Sequence, residues 1–254
     1  SDDIDILTYF RSLKEVALYN VALPTANLLR YIPRAFSVSI LPISAHLYIN
    51  NKKQLSATIT QTYRYLFLLM VPLAMIFFSF SKEIINILFG SDFIEASTAL
   101  SILAVSMIFN TIYLVNQNII ISINKPGSYV KFLFLEALIS TILDLLLIPK
   151  FGIIGAATTA VIASLSLLLY SSIIIKKQIL NYIPYKAWLK TFLAGFLTLG
   201  LIYIMKVNIN MSFYFEAIII SFSAVVFYLI IIFIFKLVTF DEIKNIFLKI
   251  LPNK

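Results

Sequence analysis

Stretches of Leu, Ile, Phe, Val and Ala recur along this chain, each reaching the ~20 residues a helix needs to cross a hydrocarbon core. Blocks of this kind leave little choice of fold. Backbone placed in lipid must satisfy its own hydrogen bonds, so a span is either a helix or part of a closed barrel. The blocks are continuously apolar rather than alternating, which argues against a barrel. Apolar residues make up 61% of the sequence and charged residues 13%, about half the charged share of a soluble domain. The reading is an all-α, polytopic membrane helical bundle with about seven transmembrane helices.

We place these spans, A to G, at residues 17–48, 64–81, 94–123, 128–149, 153–175, 188–206 and 213–236. Residues 1–14 look like the end of a preceding helix. Pro24, Pro33 and Pro42 give span A its kink sites. Ser81 to Phe89 is a short amphipathic piece stopped by Gly90. At the far end, Thr239 and Glu242 form a capping box ahead of Ile243, Ile246, Phe247 and Ile250, which predicts a tail helix lying in the interface.

The net charge is +8. The lysines gather at helix ends, so topology and anionic lipid headgroups account for them, and nucleic acid is not an expected partner. One side of the predicted bundle carries Lys52, Lys53, Arg64, Lys125, Lys131, Lys176, Lys177, Lys186, Lys190, Lys236, Lys244, Lys249 and Lys254. The other carries only Arg11, Lys14, Lys82, Lys150 and Lys206. The positive-inside rule makes the first side cytoplasmic, so span A starts outside and the C-terminus is cytoplasmic. The chain has no cysteine, and His46 is its single histidine, which removes thiol and His-cluster metal sites. Gly-rich phosphate loops and nucleophile elbows are missing too, so neither a cofactor nor an enzyme is expected. Ser1-Asp2-Asp3-Ile4-Asp5 is acidic where a signal peptide is basic, and no initiator Met is present, so a fragment of a longer protein is expected.

Span A nevertheless carries Arg30 and Arg34 at bilayer depth, each costing ~2.5–3.5 kcal/mol on insertion scales. Asn27, Arg30, Arg34, Ser37, Ser44 and Tyr48 recur at helical spacing and share a face. Such a face belongs on an internal cavity or another helix. The planar fork of Arg suits phosphate, so an anionic substrate, such as a pyrophosphate, is one reading. Buried ion bridges to the acids of span D are the other, and the two are compatible. Span D offers Glu136, Ser140 and Asp144 at i, i+4, i+8. Glu136 and Asp144 are candidates for salt bridges or for ion coupling, with a structural hydrogen bond as the alternative for Asp144. The amides Asn110, Asn116, Gln117 and Asn118 of span C serve either interhelical hydrogen bonding or cavity lining. Asp3-Ile4-Asp5 matches a metal-dependent DxD only by chance, with no nucleotide-binding domain behind it.

Read in order, the segments resemble the C-terminal half of the Wzx-type polysaccharide flippases, in the superfamily that also holds MATE antiporters and the lipid II flippase MurJ. The resemblance rests on Val16-Ala17-Leu18-Tyr19-Asn20-Val21-Ala22, on Ile32-Pro33 and Leu41-Pro42, on Pro72, and on Ile87-Leu88-Phe89-Gly90 with Phe93, Ala96, Leu100 and Leu103. Its most specific piece runs from Asp144-Leu145-Leu146-Leu147-Ile148-Pro149 through Lys150-Phe151-Gly152-Ile153-Ile154-Gly155-Ala156-Ala157. Ala17, Phe93 and Asp144 depart from the usual Gly, Tyr and Asn.

The resemblance implies the second lobe of a MATE-like two-lobe transporter. Residues 1–175 would be that C-lobe, and 176–254 two additional transmembrane helices with an amphipathic cytoplasmic tail. It also implies translocation of a lipid-linked oligosaccharide, carried on a polyprenyl pyrophosphate, across the cytoplasmic membrane for surface polysaccharide synthesis by alternating access. Arg30, Arg34, Asn27 and Ser37 would bind the substrate. Implied partners are membrane lipid, the lipid-linked oligosaccharide and a missing N-terminal lobe. A MATE-like antiporter, coupled to protons or sodium and moving small molecules, is the alternative.

Overall fold

The computed structural model describes residues 2–123, 126–179, 183–208, 213–239 and 242. Among them the secondary structure is helical, with no strand. The helices are α1 (Asp2–Phe10), α2 (Leu13–Asn27), α3 (Tyr31–Asn50), α4 (Lys52–Ser79), α5 (Ser81–Phe89), α6 (Ala96–Ser122), α7 (Pro126–Phe151), α8 (Ile153–Lys176), α9 (Tyr185–Asn208) and α10 (Phe213–Ile234). Six stretches of the described chain are long and apolar enough to cross a membrane: Leu13–Asn50, Lys52–Ser79, Ala96–Ser122, Ile153–Lys176, Tyr185–Asn208 and Phe215–Ile234. Span D forms α7, and its crossing, which would make seven, belongs to the functional proposal.

Span A is two helices rather than one kinked helix. The break is a 3-10 turn, Leu28–Arg30, between α2 and α3. Pro33 explains it, because proline has no N–H for the Leu29 carbonyl and its ring crowds that oxygen. Pro24 and Pro42 stay inside α2 and α3. Helix α4 starts well before the predicted residue 64. Asn51 caps it by accepting from the Gln54 amide at 3.0 Å, and polar first turns conceal such an extension from a hydropathy reading. Ser12 does the same for α2, accepting from the Glu15 amide at 3.3 Å. Helix α5 ends at Gly90, whose φ of +89° suits a glycine. The expected capping box is present, with the Thr239 amide donating to Glu242 and the Glu242 amide donating to the Thr239 hydroxyl. The tail helix beyond it lies outside the described residues, as does Lys125.

The chain divides into two compact units, Ser1–Pro184 and Tyr185–Lys254. The first unit holds on past residue 175 because Gln178 accepts a hydrogen bond from the Tyr48 hydroxyl at 3.0 Å and Ile179 is buried. Its axis is α6, which packs against α2, α3, α4, α5, α7 and α8. Small residues permit that crowding. Ala22 and Ala26 of α2, Ala96, Ala99 and Ala104 of α6, and Ala156 and Ala157 of α8 share one buried core with Leu18, Leu100 and Leu103. A Cβ on Gly155 would stand 2.5 Å from the Leu147 carbonyl oxygen, so glycine lets α8 turn back tightly on α7.

A buried polar clamp ties three helices of this unit. The Tyr63 hydroxyl of α4 donates to Asn116 Oδ1 of α6, and Asn116 Nδ2 donates to Ser171 Oγ of α8 at 2.7 Å. Replacing Asn116 by Leu removes the acceptor and the donor together. We expect a loss of about 2–3 kcal/mol, since buried partners would be left unsatisfied, read as a lower thermal midpoint in detergent micelles.

In the second unit α9 packs on α10. Helix α9 buries Thr191, Ala194, Thr198 and Ile202 at helical spacing, while Leu193, Phe196, Leu197 and Tyr203 are exposed. Helix α10 likewise buries Ile220, Ala224 and Tyr228 and exposes Phe215, Ile218, Phe222 and Leu229. Apolar side chains presented outward fit a lipid solvent. Lys190 Nζ donates to the Phe235 carbonyl at 3.0 Å, just past the end of α10.

Candidate functional site

The 3-10 turn of span A places the chemistry. Arg30 ends that turn and Arg34 stands on the first turn of α3. With Asn27, Ser37, Tyr31 and Val38 they line a cavity of about 510 Å³, closed on its other side by Leu114, Gln117 and Asn118 of α6. Arg30 Nη1 donates to Asn27 Oδ1 at 3.4 Å, and the Ser37 hydroxyl donates to the Arg34 carbonyl at 2.9 Å. Neither guanidinium has a carboxylate within ion-pair distance among the described residues. Two cations therefore flank one cavity with no carboxylate paired to either among the described residues. That arrangement is costly in an empty site and favourable once a polyanion enters.

A second cavity of about 330 Å³ lies behind the first. Asn27 and Arg30 line both, and the second adds Asp3 of α1, Asn110 of α6, Glu136 and Ser140 of α7 and Thr159 of α8. Asn110 Oδ1 and the Thr159 hydroxyl are buried there without a hydrogen-bond partner among the described residues. Glu136 shares this cavity with Arg30 but makes no ion pair with it. Asp144 lies elsewhere. It is fully buried, while the Tyr19 hydroxyl of α2 donates to Asp3 Oδ2 at 3.2 Å.

The structure thus brings together Asn27, Arg30, Arg34 and Ser37 as the spacing predicts. It joins Glu136 to them through Arg30 and keeps Asp144 apart. The stripe does not continue intact. Ser44 is buried in packing, and Tyr48 is occupied at the far end of α3. Of the span C amides, Gln117 and Asn118 face the arginines, Asn110 faces the second cavity, and Asn116 is the clamp. Asp3, Tyr31 and Thr159 are lining residues that the sequence reading missed. For Asp3 the available signal was its place in an acidic run opening a helical segment, hidden by its likeness to a chance DxD.

This helical bundle has a counterpart among solved membrane proteins. It superposes on a solved structure of the lipid II flippase MurJ in an inward closed conformation with a TM-score of 0.74, at 21% identity, over 92% of this chain and 50% of that one. The family model for the lipid II flippase MurJ matches residues 18–241, and the chain belongs to that family. The sequence resemblance pointed to the Wzx-type branch of the same superfamily, whereas the matching family is that of MurJ. Among curated relatives, the chain is 32% identical over 249 residues to the uncharacterized membrane protein MJ1068 of Methanocaldococcus jannaschii, covering 97% of this chain and 49% of the relative. It is 28% identical over 162 residues to the probable low-salt glycan biosynthesis flippase Agl15 of Haloferax volcanii, covering 63% of this chain and 34% of the relative. The chain therefore spans half or less of the length of these relatives.

Proposed function

We propose that this chain is the second lobe of a flippase that moves a lipid-linked oligosaccharide across the cytoplasmic membrane by alternating access, for surface glycan synthesis. The observation that carries the proposal is the cavity lined by two arginines, neither of them in an ion pair among the described residues. A pyrophosphate linkage supplies the missing negative charge, and Arg30 and Arg34 hold it with paired hydrogen bonds. Asn27 orients Arg30, Ser37 lines the floor, and Gln117 and Asn118 face the sugars. The polyprenyl tail stays in lipid. A companion lobe closes the open side of the cavity, and α7 crosses the membrane as the seventh span. The C-terminus faces the cytoplasm.

Glu136 gives the carrier its coupling to an ion gradient. What supports this reading is the acid-bearing cavity that shares Arg30 with the substrate cavity, so that a change of charge in one is felt in the other. The test is translocation of a polyprenyl-pyrophosphate oligosaccharide in proteoliposomes holding the whole protein, scored by protection from an external glycosidase. Protection that depends on the protein is expected. Transport of small cations with no movement of the glycolipid would overturn the proposal in favour of an antiporter. Glu136→Gln is expected to keep gradient-free flipping and to lose the acceleration given by an imposed proton or sodium gradient.

A further inference from the structure

A second charged opening lies at the far end of span A, and the substrate reading does not use it. A cavity of about 690 Å³ is lined by Lys52, Lys53, Ser56, Thr60, Gln61 and Gln178, with Ala57 and Ile179 at its edge. It shares no residue with the arginine cavity. Two segments line it, the N-terminal end of α4 and the chain just after α8, and Tyr48 at the C-terminal end of α3 braces both. They are held in register by short contacts. Lys52 Nζ sits 4.6 Å from the centre of the Tyr48 ring, and the Tyr48 hydroxyl donates to Gln178 Oε1 at 3.0 Å. One lysine is thereby fixed at the mouth rather than left to sweep through solvent.

We propose that this cavity binds the phosphodiester headgroup of an anionic membrane lipid. The lining is complementary to that chemistry. Two ammonium groups neutralise the phosphate, and the hydroxyls of Ser56 and Thr60 with the amides of Gln61 and Gln178 suit a hydroxylated headgroup. Ala57 and Ile179 meet the apolar root of the lipid. The ends of spanning helices stand at headgroup depth, where phosphodiesters are concentrated. The next two lysines, Lys176 and Lys177, immediately precede Gln178 and add to the positive potential of this face. No acidic residue lines the cavity to compete with the ligand. A headgroup held here cross-links α4 and the end of α8.

The experiment titrates the purified whole protein in micelles with phosphatidylglycerol, phosphatidylcholine or inorganic phosphate and counts adducts by native mass spectrometry. Phosphatidylglycerol is expected to bind and phosphatidylcholine to bind far more weakly. Lys52→Gln with Lys53→Gln should weaken phosphatidylglycerol about thirtyfold, from roughly 1 kcal/mol per lysine. Lys52→Arg with Lys53→Arg should keep most of the affinity. Displacement by millimolar inorganic phosphate would support phosphate recognition with free phosphate as a second source, and resistance to it would assign the site to lipid alone. Equal binding of the two lipids, or full binding by the glutamine variant, would overturn the proposal. A readout without any variant is acetylation of Lys52 and Lys53, which phosphatidylglycerol should slow and phosphatidylcholine should not. Equal rates would likewise overturn it.

Discussion

Replacing Arg30 and Arg34 together by Gln is expected to lower glycolipid flipping at least about a hundredfold, since hydrogen bonds to charged groups contribute roughly 1.5–3 kcal/mol each. The protein should still reach the membrane in normal amount. Both side chains line an open cavity and neither is tied into an ion pair; the one partner released, Asn27 Oδ1, lines the same open cavity. Gln is also cheaper than Arg at bilayer depth, which if anything eases insertion. The single variants separate the roles. Arg30 lines both cavities, so its loss should damage substrate affinity and gradient response, whereas Arg34 should damage affinity alone. Lysine at both positions keeps the charge and loses the planar fork, so it should fall between parent and glutamine variant. Flipping assays in proteoliposomes, with protein amount normalised, give the measurement. Parent-like flipping by the double glutamine variant would remove the arginines from the substrate site.

Hydropathy made the spans legible because lipid imposes one rule on every helix that crosses it. Where a helix runs past the apolar block the rule is silent, and α4 shows this: Lys52 to Tyr63 is helical under the Asn51 cap although its composition resembles a loop. The arginine stripe was legible for a similar reason, since two cations repeating at helical spacing can face only a cavity or a partner. The choice between those two was not legible. It depends on which residues of α7 stand opposite, and Glu136 proves to look into the second cavity while the fully buried Asp144 is not part of that cavity's lining. Asp3 was lost because its meaning comes from α2 and α7 rather than from its neighbours in sequence. The 3-10 turn was partly legible. Pro33 announced a disturbance, but its place at residues 28–30, which puts Arg30 on the wall between two cavities, follows from packing.

Gly152→Ala should be strongly damaging, because three costs coincide there. Gly152 has φ +57° and ψ −133°, a conformation that costs other residues about 1–3 kcal/mol. An added Cβ would collide with the Glu15 carboxylate, which occupies the space a side chain would need. Glu15 cannot move freely, since it pairs with Arg11 at 3.7 Å, and Arg11 Nε donates to the Ile148 carbonyl at 3.1 Å. That chain of contacts fastens the α1–α2 elbow to the turn between α7 and α8. Gly90 supplies the comparison, since its φ is +89° but nothing lies within 4 Å of an added methyl, so Gly90→Ala carries the strain alone. Gly200, inside α9 with open space around it, carries neither cost, and Gly200→Ala should stabilise by up to ~1 kcal/mol. Thermal unfolding in micelles should therefore rank the variants with Gly200→Ala highest, Gly90→Ala next and Gly152→Ala lowest, the last losing about 5 °C or more in apparent Tm. If Gly152→Ala unfolded no earlier than Gly90→Ala, the Arg11–Glu15 contacts would not be holding that elbow. Adding Glu15→Ala to Gly152→Ala distinguishes the causes, because it relieves the collision and leaves the backbone strain in place.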